Sequence, residues 1–136
     1  MGAHRALVIF VSALVAFLVG ALWYSPVLFA KAWMKAQGHS PEKLAAMQKT
    51  AGRAYAVSFL CFLLMAFVLH IVLTTLGAGD FVSGALWGAV IWLGFAFTIG
   101  LTANVYSDKP LAAFLIDGGY QLVYLVIMGG IIAGWH

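Results

Sequence analysis

Long stretches without a single charged side chain constrain this 136-residue chain more than any other feature. Three such stretches cover residues 6–30, 54–79 and 81–107, and a fourth, 110–136, is interrupted only by Asp117. Each is longer than the roughly 20 apolar residues that an α-helix needs to cross about 30 Å of hydrocarbon. The sequence therefore predicts an all-α, integral membrane four-helix bundle in a single domain over residues 1–136. The predicted spans are about 7–24, 54–76, 82–103 and 111–135.

The composition excludes a water-soluble monomer. Hydrophobic residues make up 65% of the chain and charged residues only 8%, whereas soluble domains carry about 25% charged residues. The net charge of +3 is too small and too localised for a nucleic-acid-binding surface, so we expect the lipid bilayer and no nucleic acid as a partner. The single cysteine excludes an internal disulfide, and no cluster of Cys and His has the spacing of a zinc site. We therefore expect no metal and no cofactor.

Lysine and arginine residues predict the orientation of the four spans. The side that holds the first and third connections carries six of them, and the other side carries Arg5 alone. The six are Lys31, Lys35, Lys43, Lys49, Arg53 and Lys109. The positive-inside rule therefore places connection 25–53 in the cytoplasm and both termini outside, in a bacterial inner membrane. The alternative is a cleavable signal peptide with a small-residue site at 19–21, but basic residues crowd the far end of that segment instead of its start.

The cytoplasmic connection 25–53 contains two Ser-Pro pairs, at 25–26 and 40–41. Because serine caps helices and proline suits the first helical position, the pairs predict short interfacial helices over 26–37 and 41–50. The first has aromatic residues on one side and lysines on another, as in a helix that lies on a membrane surface. One interpretation is a solvated tether that only enforces topology. The other is a docking surface for anionic lipid or a protein partner, formed by Lys31, Lys35, Trp33, Lys43, Lys49 and Arg53.

Asp117 is the foremost candidate for a site residue. An ionisable group inside a span costs several kcal/mol and usually faces the bundle interior or a water-filled cavity. Asp117 lies about 10 Å into the last span, and polar groups of the first and third spans share its depth. We predict a cytoplasmic-side pocket formed by Asp117, Tyr120, Gln121, Tyr24, Ser25, Asn104, Trp23 and Tyr124. The alternative is a structural role, in which a buried carboxylate bonded to tyrosine or asparagine determines which helices face each other.

Glycine spacing predicts how closely the helices pack. Gly84 with Gly88, and Gly130 with Gly134, form GxxxG pairs. Such pairs allow close helix approach, which we expect within the chain first and between copies second. Because four short helices leave little room for a solute path through one copy, we also expect a homo-oligomer.

Two sequence elements carry a family resemblance. They are the residues GALWYSP at 20–26, followed by Phe29, Lys31 and Trp33, and DGGYQ at 117–121, followed by Met128 and Gly129. Together they resemble a widespread bacterial family of small four-span membrane proteins classed as a domain of unknown function. The resemblance covers nearly the whole chain and implies a four-helix membrane domain. It supplies no established activity and no catalytic residues.

Three functions follow from this reading of the sequence. The first is a non-enzymatic, homo-oligomeric membrane protein that binds or passes a small solute or proton at the pocket. The second is a structural or accessory protein whose basic connection docks a partner or lipid. The third, least favoured, is a membrane enzyme acting on a lipid-soluble substrate. No nucleophile, base and orienting group occur at a recognisable spacing, so we predict no catalytic residues.

Overall fold

The computed structural model describes residues 2–135, so Met1 and His136 of the predicted domain lie outside the described residues. Over residues 2–135 the chain forms six helices: α1 Gly2–Trp23, α2 Ala30–Gln37, α3 Pro41–Lys49, α4 Ala51–Leu76, α5 Phe81–Tyr106 and α6 Leu111–Gly134. Helices α1, α4, α5 and α6 are long and apolar enough to cross a membrane. The predicted all-α bundle, with two short helices between its first two spans, is confirmed.

Large apolar side chains cover the outside of the bundle. Leu64 on α4 is 64% exposed, and Leu86 and Ile99 on α5 are 62% and 68% exposed. In water, exposing these side chains would cost about 25 cal/mol for each Å² of apolar surface. Lipid tails are as apolar as leucine, so exposure to lipid has no such cost. This distribution is that of a multi-pass membrane protein.

The interior is built mainly from small residues where α1, α4 and α6 meet. Ala13 and Ala16 of α1 and Ala66 of α4 are completely buried, and Leu73 and Met128 fill the space between these helices. Small side chains let helix backbones approach closely, which is the main source of packing energy where no water drives association. Helix α6 contributes many of the buried residues, so it forms the centre of the bundle.

The connection between α4 and α5 is a tight hairpin. Gly77 ends α4 in the left-handed conformation with φ 75°, and the N–H of Ala78 donates to the carbonyl of Leu73 at 3.0 Å. This is the bonding pattern that commonly terminates helices at glycine. Asp80 then begins α5, because its Oδ1 accepts a hydrogen bond from the N–H of Ser83 at 2.7 Å.

Glycines allow the close packing of α5 against α6 in the hairpin that these two helices form. A Cβ atom on Gly84 would overlap the carbonyl oxygen of Gly129, and one on Gly88 would overlap that of Leu125. Gly130 and Gly134 lie against Phe81. Both GxxxG pairs therefore serve packing within the chain, which confirms the first of the two expectations for them.

Helix α5 contains a π-helical turn that the sequence analysis did not predict. The turn spans Trp92–Ala96, between α-helical parts at Phe81–Ile91 and Phe97–Tyr106. In a regular α-helix, about 100° per residue would rotate Gly100 roughly 160° away from the face that carries Gly84. Because a π turn absorbs one extra residue, it reduces this angle to about 60°. Gly100 therefore still faces α6, where a Cβ atom on it would lie 3.0 Å from the ring of Phe114.

One of the two helices predicted in the connection begins differently. Helix α3 begins as predicted, since Ser40 Oγ accepts from the N–H of Lys43 at 3.1 Å. The prediction that Ser25 caps the other helix is wrong, because α2 begins only at Ala30. Ser25 Oγ instead donates to the carbonyl of Leu22 at 2.6 Å. The reason is that the end of α1 has carbonyls without helical partners, and the serine hydroxyl satisfies one of them.

Candidate functional site

Asp117 lies half-buried in the second turn of α6. Its Oδ1 accepts a hydrogen bond from the hydroxyl of Tyr24, just beyond the end of α1, at 2.5 Å. Among the described residues the carboxyl group forms no other hydrogen bond and no ion pair. An acidic side chain within a span therefore has one neutral partner and no protein counter-charge.

Two tryptophans hold the α6 backbone on either side of Asp117. The indole Nε1 of Trp23 donates to the carbonyl of Ile116, and that of Trp92 donates to the carbonyl of Gly118, each at 2.9 Å. Trp23 is the last residue of α1, and Trp92 is the first residue of the π-helical turn in α5. These bonds connect α1 and α5 to the same turn of α6, so the position of the carboxylate is determined by three helices.

A second tyrosine connects the same region to the core. The Tyr120 hydroxyl donates to the carbonyl of Ala16 at 2.7 Å, and Gly20 provides the space for its ring. The ring of Tyr120 packs edge-on against Tyr24 at 5.5 Å and against Tyr124 at 4.8 Å. Tyr120 and Tyr124 thus belong to the packed interface with α1 and α4.

A cavity of about 300 Å³ lies on the other side of Asp117, between α6, the second half of α5 and the end of α2. Small residues of α5 and α6 create the space, and polar groups of four kinds surround it: a carboxylate, an ammonium, a hydroxyl and amides. Its lining comprises Gln37, Gly100, Ala103, Asn104, Ser107, Lys109, Ala113, Phe114, Asp117, Gly118 and Gln121. This combination of acceptors and donors suits a small polar solute.

The structure brings together only part of the predicted pocket. Asp117, Gln121 and Asn104 line the cavity, and Tyr24 is bonded to Asp117. Four other candidates are not among the lining residues: Trp23 braces the α6 backbone, Ser25 bonds within its turn, and Tyr120 and Tyr124 pack in the interior.

Lys109 and Gln37 complete the cavity and were absent from the predicted pocket. Lys109 Nζ donates to the carbonyl of Gln37 at 3.0 Å, which joins the α5–α6 hairpin to the end of α2. Asn104 Nδ2 donates to the carbonyl of Lys109 at 3.1 Å. From the sequence, Lys109 contributes only to the predicted topology. Its place directly before Pro110 and the last span puts it at the level of Asn104, and this position was the available signal.

The residues predicted for docking occupy two different environments. Trp33 is half-buried, with its ring 5.9 Å from that of Tyr24 and 5.3 Å from that of His39, so it packs against the end of the bundle. Desolvation of the ring lowers the pKa of His39, and the ammonium groups of Lys43 and Lys109 lower it further. The basic candidates are exposed; these are Lys31, Lys35, Lys43, Lys49 and Arg53.

Comparison with known proteins assigns the chain to a family. The sequence profile of a family described as "Protein of unknown function (DUF1761)" matches residues 7–133. The chain belongs to the DUF1761 family. For this DUF1761 chain the resemblance to a domain of unknown function with four spans is thereby confirmed. No curated protein and no solved structure matches it.

The family name assigns no activity, so the function of this DUF1761 chain has to be argued from its site. Within residues 2–135, no group of three or more His, Cys, Asp or Glu side chains is placed to hold a metal ion. The chemistry that the site offers is that of Asp117, Lys109 and the amide groups around the cavity.

Proposed function

We propose that this DUF1761 protein is a non-enzymatic, multi-pass protein of the bacterial inner membrane that binds a small solute or proton beside Asp117, for transport or binding. The observation that carries the proposal is the carboxylate of Asp117, which lines a cavity within a span and, within residues 2–135, has only Tyr24 as a hydrogen-bond partner. A charge at this depth is costly unless water, a proton or a ligand compensates it. The cavity provides the space for that compensation.

The size of the cavity suits a small solute. A water molecule occupies about 30 Å³ in the liquid, so the volume of about 300 Å³ holds on the order of ten waters. A solute of roughly ten non-hydrogen atoms or fewer fits the same space. Because one copy contributes only four spans, we include homo-oligomerisation in the proposal, with one site in each copy.

The orientation of the four spans in the membrane gives a separate testable prediction. Five of the six basic residues counted for the cytoplasmic side are exposed in the connection or the first turn of α4, at the cavity end of the bundle, and the sixth is Lys109. We expect a green fluorescent protein inserted between α2 and α3 to fluoresce, and alkaline phosphatase fused after α6 to be active. Fluorescence from the second position together with phosphatase activity at the first would reverse the topology and contradict the proposal.

Substitution Asp117→Asn tests the site directly, because it removes the charge and keeps the shape. In liposomes loaded with a pH-sensitive dye, we expect the variant to lower proton flux about tenfold or more, since the carboxyl group that accepts and releases the proton in the proposed site is lost. Binding of butylammonium, followed by tryptophan fluorescence, serves as a second measurement because Trp23 and Trp92 adjoin the carboxylate.

The matched control is Asp108→Asn. Asp108 is exposed and has φ 53°, a conformation that asparagine tolerates well, so flux and binding should equal those of the wild type. The proposed function is wrong when neither flux nor butylammonium binding depends on Asp117.

The second candidate is a structural or accessory protein whose basic connection docks anionic lipid or a protein. The observation that favours it is the exposure of Lys31, Lys35, Lys43, Lys49 and Arg53, none of which has an ion-pair partner among the described residues. In that case Asp117 only holds α1 and α6 together, and Asp117→Asn changes stability without changing flux or binding.

A further inference from the structure

The cavity beside Asp117 is lined by an acidic and a basic side chain, and in the described part of the chain each has only a neutral partner. The Asp117 carboxylate accepts from the Tyr24 hydroxyl, and the Lys109 ammonium donates to the backbone carbonyl of Gln37. Neither forms an ion pair with any described residue. Both nevertheless line the same cavity of about 300 Å³.

Neutral partners satisfy hydrogen bonds without cancelling charge. The hydroxyl of Tyr24 donates to the carboxylate, and the carbonyl of Gln37 accepts from the ammonium, but neither partner carries a charge of opposite sign. Charges in partly buried sites are normally paired, since a counter-ion repays part of their lost hydration. The missing counter-ions are therefore one cation for Asp117 and one anion for Lys109.

We propose that the cavity binds a small zwitterion, with its ammonium group on Asp117 and its anionic group on Lys109. The proposal deepens the proposed function and rests on it. A simple cation suits Asp117 but is repelled by Lys109, and a simple anion has the opposite difficulty. A zwitterion meets both charges and brings no net charge into a region of low dielectric constant.

Amide groups adjoin both charged ends of the cavity. Gln121 follows Asp117 by one helical turn, on the side away from Lys109, and Asn104 donates to the carbonyl of Lys109. The helical residues from Leu111 to Asp117 rise about 9 Å at 1.5 Å per residue, and the two residues from Lys109 to Leu111 add at most about 7 Å. ω-Amino acids of three to six carbons therefore vary the separation of the two charges within this range.

The test compares three probes of the same length: 5-aminopentanoate, pentylammonium and pentanoate. Binding to the full chain in nanodiscs of zwitterionic lipid is measured by calorimetry. We expect 5-aminopentanoate to bind at least about tenfold more tightly than either singly charged probe, because it alone gains both charge pairs. β-Alanine, 4-aminobutanoate and 6-aminohexanoate then report the best separation of the charges.

Single substitutions assign each end of the probe. Lys109→Gln should weaken 5-aminopentanoate to the affinity of pentylammonium while leaving pentylammonium unchanged or tighter. Asp117→Asn should do the converse with pentanoate. Lys109→Arg keeps the charge and should retain binding of the zwitterion, which separates loss of charge from loss of the contact with Gln37. Glu42→Gln, at an exposed position of α3, is the neutral control.

The outcomes separate this inference from the proposed function. Equal affinity for pentylammonium and 5-aminopentanoate, both lost in Asp117→Asn, overturns the zwitterion and keeps the solute site. Proton flux that depends on Asp117, with no binding of any probe, also overturns the zwitterion and keeps the proton form of the proposed function. Absence of both binding and Asp117-dependent flux overturns both.

Discussion

Replacing Gly84 with alanine should destabilise the chain by about 3 kcal/mol or more, the largest loss that we expect from a single methyl group. The new Cβ atom would overlap the carbonyl oxygen of Gly129. Backbone cannot rotate away as a side chain can, so α5 and α6 must separate along the hairpin. Thermal unfolding in detergent micelles or lipid nanodiscs, followed by circular dichroism, measures the effect.

Two other glycines provide a graded control series. Gly130→Ala places its Cβ against the ring of Phe81, which can shift, so the loss should be smaller than at Gly84. Gly94→Ala lies on the same helix as Gly84 with no atom within 4 Å of the new methyl group, so its stability should stay within about 0.5 kcal/mol of wild type. Equal melting temperatures for all three variants would show that the close approach of α5 and α6 is not needed for stability.

The spans and the hairpins were predictable because their causes are local. Twenty or more apolar residues in a row have no other stable arrangement than a membrane helix. The stop at Gly77 depends on the left-handed backbone conformation of one glycine, and the cap at Asp80 depends on one side chain and the N–H three residues later. The contact between the GxxxG pair at Gly84 and helix α6 was predictable for a similar reason, since adjacent spans joined by a short hairpin must lie side by side.

The faces of the helices were harder to predict because they depend on contacts distant in sequence. Asp117, Gln121 and Tyr124 share one stripe of α6 in sequence, yet the first two line the cavity while Tyr124 is buried against α4. A helix in contact with three others has no single inner face, so 3.6-residue periodicity does not assign each residue to a neighbour. The π-helical turn at Trp92–Ala96 also changes which residues of α5 face α6, and no residue pattern in the sequence indicates this turn.

Trp33 illustrates the same limit in the connection. An aromatic ring suits the membrane interface and the end of a bundle equally well. Its packing on Tyr24 follows from the turns after α1, which bring α2 back under the bundle. Those turns depend on the hydrogen bond from the N–H of Phe29 to the carbonyl of Trp23. The Ser25–Pro26 pair suggested a helix start instead.

The pair of Tyr24 and Asp117 allows a double-mutant cycle that separates a structural from a functional carboxylate. Tyr24→Phe removes the hydroxyl that donates to Asp117 Oδ1 and should destabilise the chain by about 2 kcal/mol, as is usual for hydrogen bonds to charged groups. In the double variant with Asp117→Asn, we expect a coupling energy of about 1.5–3 kcal/mol, above the average of about 0.6 kcal/mol for polar pairs in membrane proteins. Tyr106→Phe, at a position that is 87% exposed, is the control.

Butylammonium binding measured on the same four proteins decides between the two roles. If Asp117 only holds α1 and α6 together, changes in the free energy of unfolding will account for every effect of the substitutions. No variant that remains folded will then change the affinity for butylammonium. Should it bind the solute, Asp117→Asn will abolish binding, whereas Tyr24→Phe will retain most of it because the charge is still present. A solute-binding role therefore predicts that Tyr24→Phe and Asp117→Asn differ in ligand affinity although their stabilities are comparable. A purely structural role predicts no such difference, and a stability measurement alone does not distinguish the two roles.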